Sequence, residues 1–335
     1  MISLAAKAPA APASPWLPRT VAGALTFVLL STIQLKVARP MILAERFLPG
    51  AGWVEAALLA AYSGWLAGTL VTARRTGPWR RKLWTLFSLV FFSQLALGLA
   101  GFERFLMSGK LHLPIPAMFV AGPLYRGEGL FMPILFLVTV LIVGPGWCSF
   151  LCYIGSWDFN ASLSQRKARE LPKWRHAARL AIFALVVGAA LALRAWGAPS
   201  SVAALFGLAF GLGGVAVMVL ASRRLGSMAH CVIWCPIGLL ATTLGRLSPF
   251  RLRIQSSCEG CNACGPSCRY DALQPIHISR RKVGLSCTLC GDCLSSCGRR
   301  SLTYGFPGLS ATAARTAYFV LVASLHAVFL GVARI

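Results

Sequence analysis

Eight of the twelve cysteines in this 335-residue chain fall into two copies of one pattern. CEGCNACGPSC (258–268) and CTLCGDCLSSC (287–297) both read C-x2-C-x2-C-x3-C. Thiols at i, i+3 and i+6 wrap a loop around one iron–sulfur cube, and the fourth cysteine reaches the other cube in two-cluster ferredoxins. The pattern therefore predicts two [4Fe–4S] clusters. Cys258, Cys261, Cys264 and Cys297 hold the first, and Cys287, Cys290, Cys293 and Cys268 hold the second. Zinc usually pairs C-x2-C knuckles at a distance, and disulfides need an oxidising compartment, so both fit this spacing less well. The proline that usually follows each fourth cysteine is replaced by Arg269 and Gly298. That proline shapes the loop and is not a ligand, so altered geometry or potential is expected with binding intact.

The other four cysteines also come in a repeat. WCSFLCYIG (147–155) and HCVIWCPIG (230–238) share C-x3-C-x-I-G, and each follows an apolar span. The repeat predicts that Cys148, Cys152, Cys231 and Cys235 converge at one membrane surface. On an intact helix, residues i and i+4 share a face with Cβ atoms about 5–6 Å apart. A disulfide wants about 3.5–4.5 Å, so bonding within a motif is disfavoured. Pro236 favours local unwinding at the second motif. Three uses stand open: ligands of a third metal centre, most simply iron–sulfur; a redox thiol relay; or packing cysteines, which are often buried.

These residues need a membrane scaffold to position them. The chain is 57% hydrophobic and 13% charged, with a mean hydropathy of +0.68. That is too apolar for a soluble domain of this size. A formal charge of +24 would suit nucleic acid, but the basic residues flank apolar stretches as the positive-inside rule requires, so no nucleic-acid partner is expected. Seven stretches are long enough to cross a bilayer: 21–38, 53–73, 83–102, 130–147, 177–196, 202–222 and 312–333.

The expected fold class is thus an α-helical polytopic membrane protein of six or seven transmembrane helices with a small α+β ferredoxin module. Residues 1–19 read as a disordered cytoplasmic tail without a signal peptide. Residues 20–248 form the transmembrane domain, 249–306 the ferredoxin domain, and 307–335 a transmembrane or interfacial helix interrupted by Arg315 and His326. The expected location is the bacterial inner (cytoplasmic) membrane. With the N-terminus inside, Arg74, Arg75, Arg80, Arg81, Lys82, Arg166, Lys167, Arg169, Lys173, Arg175 and Arg179 all join the ferredoxin region on the cytoplasmic side.

The outer segment 102–129 is rich in Pro and Gly. A quinol site needs an apolar slot and a proton acceptor, for which His112, Glu103 and Glu128 are candidates; the alternative is a loop with interfacial anchors. His112, His176, His230, His277 and His326 form no pair clearly facing one another inside spans, and C-x-x-C-H is absent, so no haem is expected.

Two C-x3-C motifs at helix ends followed by the double C-x2-C-x2-C-x3-C run resemble the NapH/NosR group of membrane iron–sulfur proteins. That group includes the quinol dehydrogenase component of periplasmic nitrate reduction. Oxidase assembly proteins of the CcoG type, which act as cupric reductases, are similar in the same motifs. The resemblance covers about 83–306. The group's short motifs typically read C-x3-C-P, which Cys235 and Pro236 match, whereas Cys152 is followed by Tyr153. No outer stretch is long enough for the flavin-binding domain of NosR proteins, so the resemblance implies a NapH-like core. It implies electron transfer between a quinol pool, cytoplasmic clusters and a redox partner such as a cytochrome or reductase subunit. On that view the chain is the electron-transfer component of an oxidoreductase. Two alternatives are a cupric reductase using the C-x3-C thiols, since thiolates suit Cu(I), and a redox-sensing regulatory membrane protein.

Overall fold

The computed structural model describes residues 15–73, 75–105 and 114–332. Most of the expected N-terminal tail, Arg74 and the quinol-site candidate His112 lie outside the described residues. Seven helices are long and apolar enough to cross a membrane: α1 (Trp16–Lys36), α2 (Ala51–Thr72), α3 (Gly77–Leu99), α5 (Phe131–Phe150), α7 (Arg175–Ala195), α8 (Ser200–Leu225) and α10 (Ala311–Gly331). Shorter helices α4 (Met118–Arg126), α6 (Tyr153–Ser162) and α9 (Pro236–Leu244) lie between them. Leu58, Leu89, Ile134, Leu185, Leu205 and Leu212 stand exposed on outer faces. Exposed apolar side chains over so many helices suit lipid, and the chain is a multi-pass helical membrane protein.

Without a hydrophobic drive between helices in lipid, close packing and polar contacts must hold them together. Helices α1, α2 and α10 show both. The Ala22 carbonyl accepts from the Ser63 and Ser324 hydroxyls, each at 3.2 Å, and Thr26 donates to Ser63 at 2.8 Å. A Cβ on Gly64 would stand 2.7 Å from the Arg19 carbonyl, so only glycine permits that approach. Helix α10, for which an interfacial position was an alternative, is packed against α1 and α2 within this bundle. Arg315, one of its two polar interruptions, donates to the carbonyls of Leu70, Val71 and Ala73 at the end of α2. Those carbonyls have no partner within the helix, and a cation suits that end. His326, the other, is buried with Nδ1 3.3 Å from the Phe150 carbonyl.

The cysteine-rich region has little regular structure. Strands β1 (Arg251–Ile254) and β2 (Leu302–Gly305) pair antiparallel, with Leu252 opposite Tyr304 and Ile254 opposite Leu302. This two-stranded ribbon brackets both cysteine runs and is too small to stand alone. It is fixed to the helices instead. The hydroxyls of Tyr304 and Tyr318 both donate to the Leu289 carbonyl, and Ser149 donates to Thr288 Oγ1 at 2.6 Å. Arg269, which stands where ferredoxins usually carry proline, donates to the carbonyls of Ser162, Gln165, Arg166 and Gly226. The departure from the ferredoxin pattern thus coincides with a weld between the cysteine region and the membrane helices. A proline has no side-chain donor with which to make it.

Candidate metal centres

The twelve cysteines are all free thiols, and they group into three sets of four. Cys264 stands among Cys258, Cys261 and Cys297. Cys293 stands among Cys287, Cys290 and Cys268. The fourth cysteine of each run therefore faces the other run, as the crossing rule expects. Backbone N–H groups point at the sulfurs: Ala272 donates to Cys268 and Ser301 to Cys297, both at 3.3 Å. Gly260 and Gly291 sit at φ of +74° and +80° inside the loops, where a side chain would strain the backbone. The second set rings a cavity of about 10 Å³. Burial pushes Cys268, Cys287 and Cys290 each up to about 12, so these thiols stay neutral unless a cation joins them.

The two sets differ in exposure. Cys261 is exposed, and the basic residues Arg280, Arg281, Lys282, Arg299 and Arg300 are exposed nearby in the sequence. Arg299 pairs with Glu259 at 2.6 Å, and Arg281 donates to the Ser256 carbonyl, which draws both against the first loop. The second set is enclosed. Arg80 of α3 reaches Asp292 between Cys290 and Cys293, with Nη2 to Oδ2 at 2.5 Å.

The third set is Cys148, Cys152, Cys231 and Cys235, which line one cavity of about 20 Å³ at the Phe150 end of α5 and the Arg175 end of α7. The expected convergence of the two repeats is present, but their backbone differs from a continuous helix. The helix stops at Phe150 in the first motif, and a π-turn (His230–Trp234) stops in the second. Cys152 and Cys235 are then both extended, at φ −89°, ψ 113° and φ −78°, ψ 116°, and each is the N-cap of the next helix. The premise of helical i, i+4 spacing is corrected on this point in both copies. Tyr153 occupies the first helical position that Pro236 occupies in the other copy, and its ring stacks on Phe91 at 3.8 Å. The missing proline therefore leaves the backbone path unchanged.

The shared Ile-Gly now has a reason. The N–H groups of Ile154 and Gly155 face the Cys152 sulfur, and those of Ile237 and Gly238 face Cys235, with Gly238 at 3.4 Å. A helix N-terminus is a natural partner for an anionic sulfur. A Cβ on Gly155 would lie 3.1 Å from the Cys148 carbonyl, and one on Gly238 would lie 2.7 Å from the Cys231 carbonyl. Glycine lets the two cysteines of each motif close on one cavity. Asp158 accepts the Cys231 N–H at 2.9 Å, and Trp84 donates to the Cys152 carbonyl at 2.6 Å. Burial pushes the Cys152 thiol up to about 12 and raises Cys231 and Cys235 as well.

Arg179 is the residue that sequence reasoning placed elsewhere. It is expected with the basic residues around the start of the fifth span, yet it is 2% exposed and lines the cavity, with Nε and Nη1 making no hydrogen bond. Arg80 and Arg175 are buried too, Arg175 lying 3.5 Å from Asp271. Only Arg179 carried a signal, its position within the expected span 177–196, where an ionisable residue is costly and has a partner. The outer candidates are not assembled in this way. Glu103 lies in a single 3₁₀ turn after α3 and Glu128 in the turn after α4, both exposed, and no hydrogen bond or ion pair among the described residues joins them.

No three His, Cys, Asp or Glu side chains among the described residues group closely enough to hold a single metal ion. Four thiols lining a cavity, free of disulfides and met by backbone donors, are a donor set whose chemistry suits soft metals and iron–sulfur clusters alike.

No family model matches the chain. An uncharacterized protein of Methanocaldococcus jannaschii is 30% identical over 78 residues, which are 23% of this chain and 30% of that protein. The chain thus spans less than a third of that relative's length. No solved structure matches.

Proposed function

We propose that this chain is a membrane-bound iron–sulfur electron-transfer protein, passing electrons between a quinol pool and a redox partner. The observation that carries the reading is the exchange of fourth cysteines, which pairs Cys297 with the first run and Cys268 with the second. A disulfide framework or a single-ion site has no need of that exchange; two adjacent cubes do. Bound there, [4Fe–4S] clusters supply one-electron carriers. The chain's own residues do the rest. Ala272 and Ser301 N–H groups stabilise thiolate charge, Arg80 and Arg269 fix the loops to the membrane helices, and the exposed Cys261 loop offers an exit edge. The basic residues beside that loop favour an acidic partner and speed its encounter. On this reading the cysteine region and the basic loops face the cytoplasm of a bacterial cell.

The test uses the full chain, purified anaerobically in detergent and reduced chemically. Addition of a soluble quinone is expected to reoxidise the clusters, followed by their electron paramagnetic resonance. Reduced clusters that stay inert to quinone while reacting with Cu(II) would transfer the reading to the cupric reductase class. Clusters inert to both would leave the redox-sensing class.

A further inference from the structure

We propose that Cys148, Cys152, Cys231 and Cys235 hold a third iron–sulfur centre of the [4Fe–4S] type, with Arg179 as its counter-charge. Four observations converge on it. The four thiols come from two chain segments about eighty residues apart and line one cavity. Packing alone would not need the repeated extended N-cap, nor N–H groups aimed at Cys152 and Cys235. A buried guanidinium left without hydrogen bonds at Nε and Nη1 is costly unless an anion faces it. Four thiolates around an iron–sulfur core leave the cluster net negative and provide that anion.

The cluster type follows from likeness to the second ferredoxin-type set, which also offers four thiols around one cavity. The cavity is about 20 Å³, against about 10 Å³ for the set Cys268, Cys287, Cys290 and Cys293 by the same measure. The third set thus has no less room than the set whose spacing reads as a [4Fe–4S] ligand run. The walls also join the two. Tyr270 and Thr288 line both cavities, so a centre at the membrane surface would be the immediate neighbour of the second ferredoxin set. Such a centre takes up and releases one electron at a time, with no bond in the protein made or broken.

The inference uses the electron-transfer reading only for the role of the centre, and iron counting separates the two. Anaerobically purified full-length protein is expected to contain about 12 irons with matching acid-labile sulfide, falling to about 8 in a Cys148→Ser/Cys231→Ser double variant. The resonance signals of the ferredoxin sets should persist in that variant, which shows that it has folded. About 10 irons falling to 8 would make the centre [2Fe–2S] and overturn the cube. A value of 8 unchanged by the double substitution, or one zinc lost with it, would overturn the third centre while leaving the ferredoxin reading intact. Iron below 8 in the unaltered protein would instead refute the ferredoxin reading. For the counter-charge, Arg179→Gln is expected to keep all iron and shift the third signal to lower potential by at least tenfold in its reduced-to-oxidised ratio, about 59 mV for one electron. Arg179→Lys should shift it less. Loss of those four irons alone from Arg179→Gln would also support the assignment, and an unmoved potential in both variants would overturn it.

Discussion

The ion pair between Arg80 and Asp292 tests how the cysteine region is held to the membrane helices. Arg80 is fully buried on the first turn of α3; its Nε is 3.2 Å from Asp292 Oδ1, and its guanidinium faces the rings of Phe159 at 4.2 Å and Trp84 at 5.0 Å. Asp292 keeps 15% of its side-chain surface exposed. The two partners are therefore not equivalent. Asp292→Asn strands a charged guanidinium in a dry site, which costs about 3–5 kcal/mol. Arg80→Met leaves a carboxylate that still reaches water, and the lost charged hydrogen bonds cost about 1.5–3 kcal/mol. The double variant removes both charges and should recover most of the loss, giving a coupling energy of about 3–6 kcal/mol. Local opening at Cys290 and Cys293 then becomes at least about 100-fold, and up to about 4,000-fold, more frequent in Asp292→Asn, since about 1.4 kcal/mol is a factor of ten. The assay is the rate at which sulfur-to-iron absorbance bleaches under a chelator in anaerobic detergent solution, alongside thermal unfolding. Additive single effects, or an Arg80→Met variant as fragile as Asp292→Asn, would refute the reasoning.

Cys261→Ser and Cys290→Ser should each lower the iron content by about four per chain and weaken retention of the other ferredoxin-type cluster, because fourth ligands are exchanged; full iron in either variant would contradict the ligand sets. Arg269→Ala removes donors from four backbone carbonyls, two of them at 2.8 Å or closer, and should destabilise the protein by about 2–4 kcal/mol, read as an earlier thermal transition. Arg269→Pro should be no better, because the lost donors and not the loop path set the cost. Gly238→Ala places a Cβ 2.7 Å from the Cys231 carbonyl and 2.8 Å from Arg179, so it should cost about 1–3 kcal/mol by overpacking and deplete the membrane-surface set before the other two; iron unchanged in that variant would show that the close approach is not needed. A reporter fused after Tyr304 should be active only as a cytoplasmic reporter, and periplasmic activity would reverse the orientation.

Much of this architecture is written locally. Apolar length alone defines the seven spanning helices, because a bilayer core of about 30 Å demands about 20 apolar residues wherever they occur. Cysteine spacing predicts the two four-thiol runs, because thiols that share one loop must lie a few residues apart. The repeat C-x3-C-x-I-G also announces that two chain segments do the same job. The reason for its Ile-Gly was not legible, since helix entry at Cys152 and Cys235 depends on where the preceding helices stop.

What tertiary structure alone decides is the fate of the charges. Arg80, Arg175 and Arg179 are the same residue type as the loop cations, and only Arg179, inside the expected span 177–196, is marked off from Arg166 or Lys173 by its local sequence. Folding buries the three and turns each toward a different partner: Asp292, Asp271 and the thiol cavity. Those partners lie between about 30 and 210 residues away, a separation no local pattern spans. A cation in a loop is satisfied by water, whereas a cation in a packed bundle persists only where an opposite charge meets it, and that meeting exists only in three dimensions.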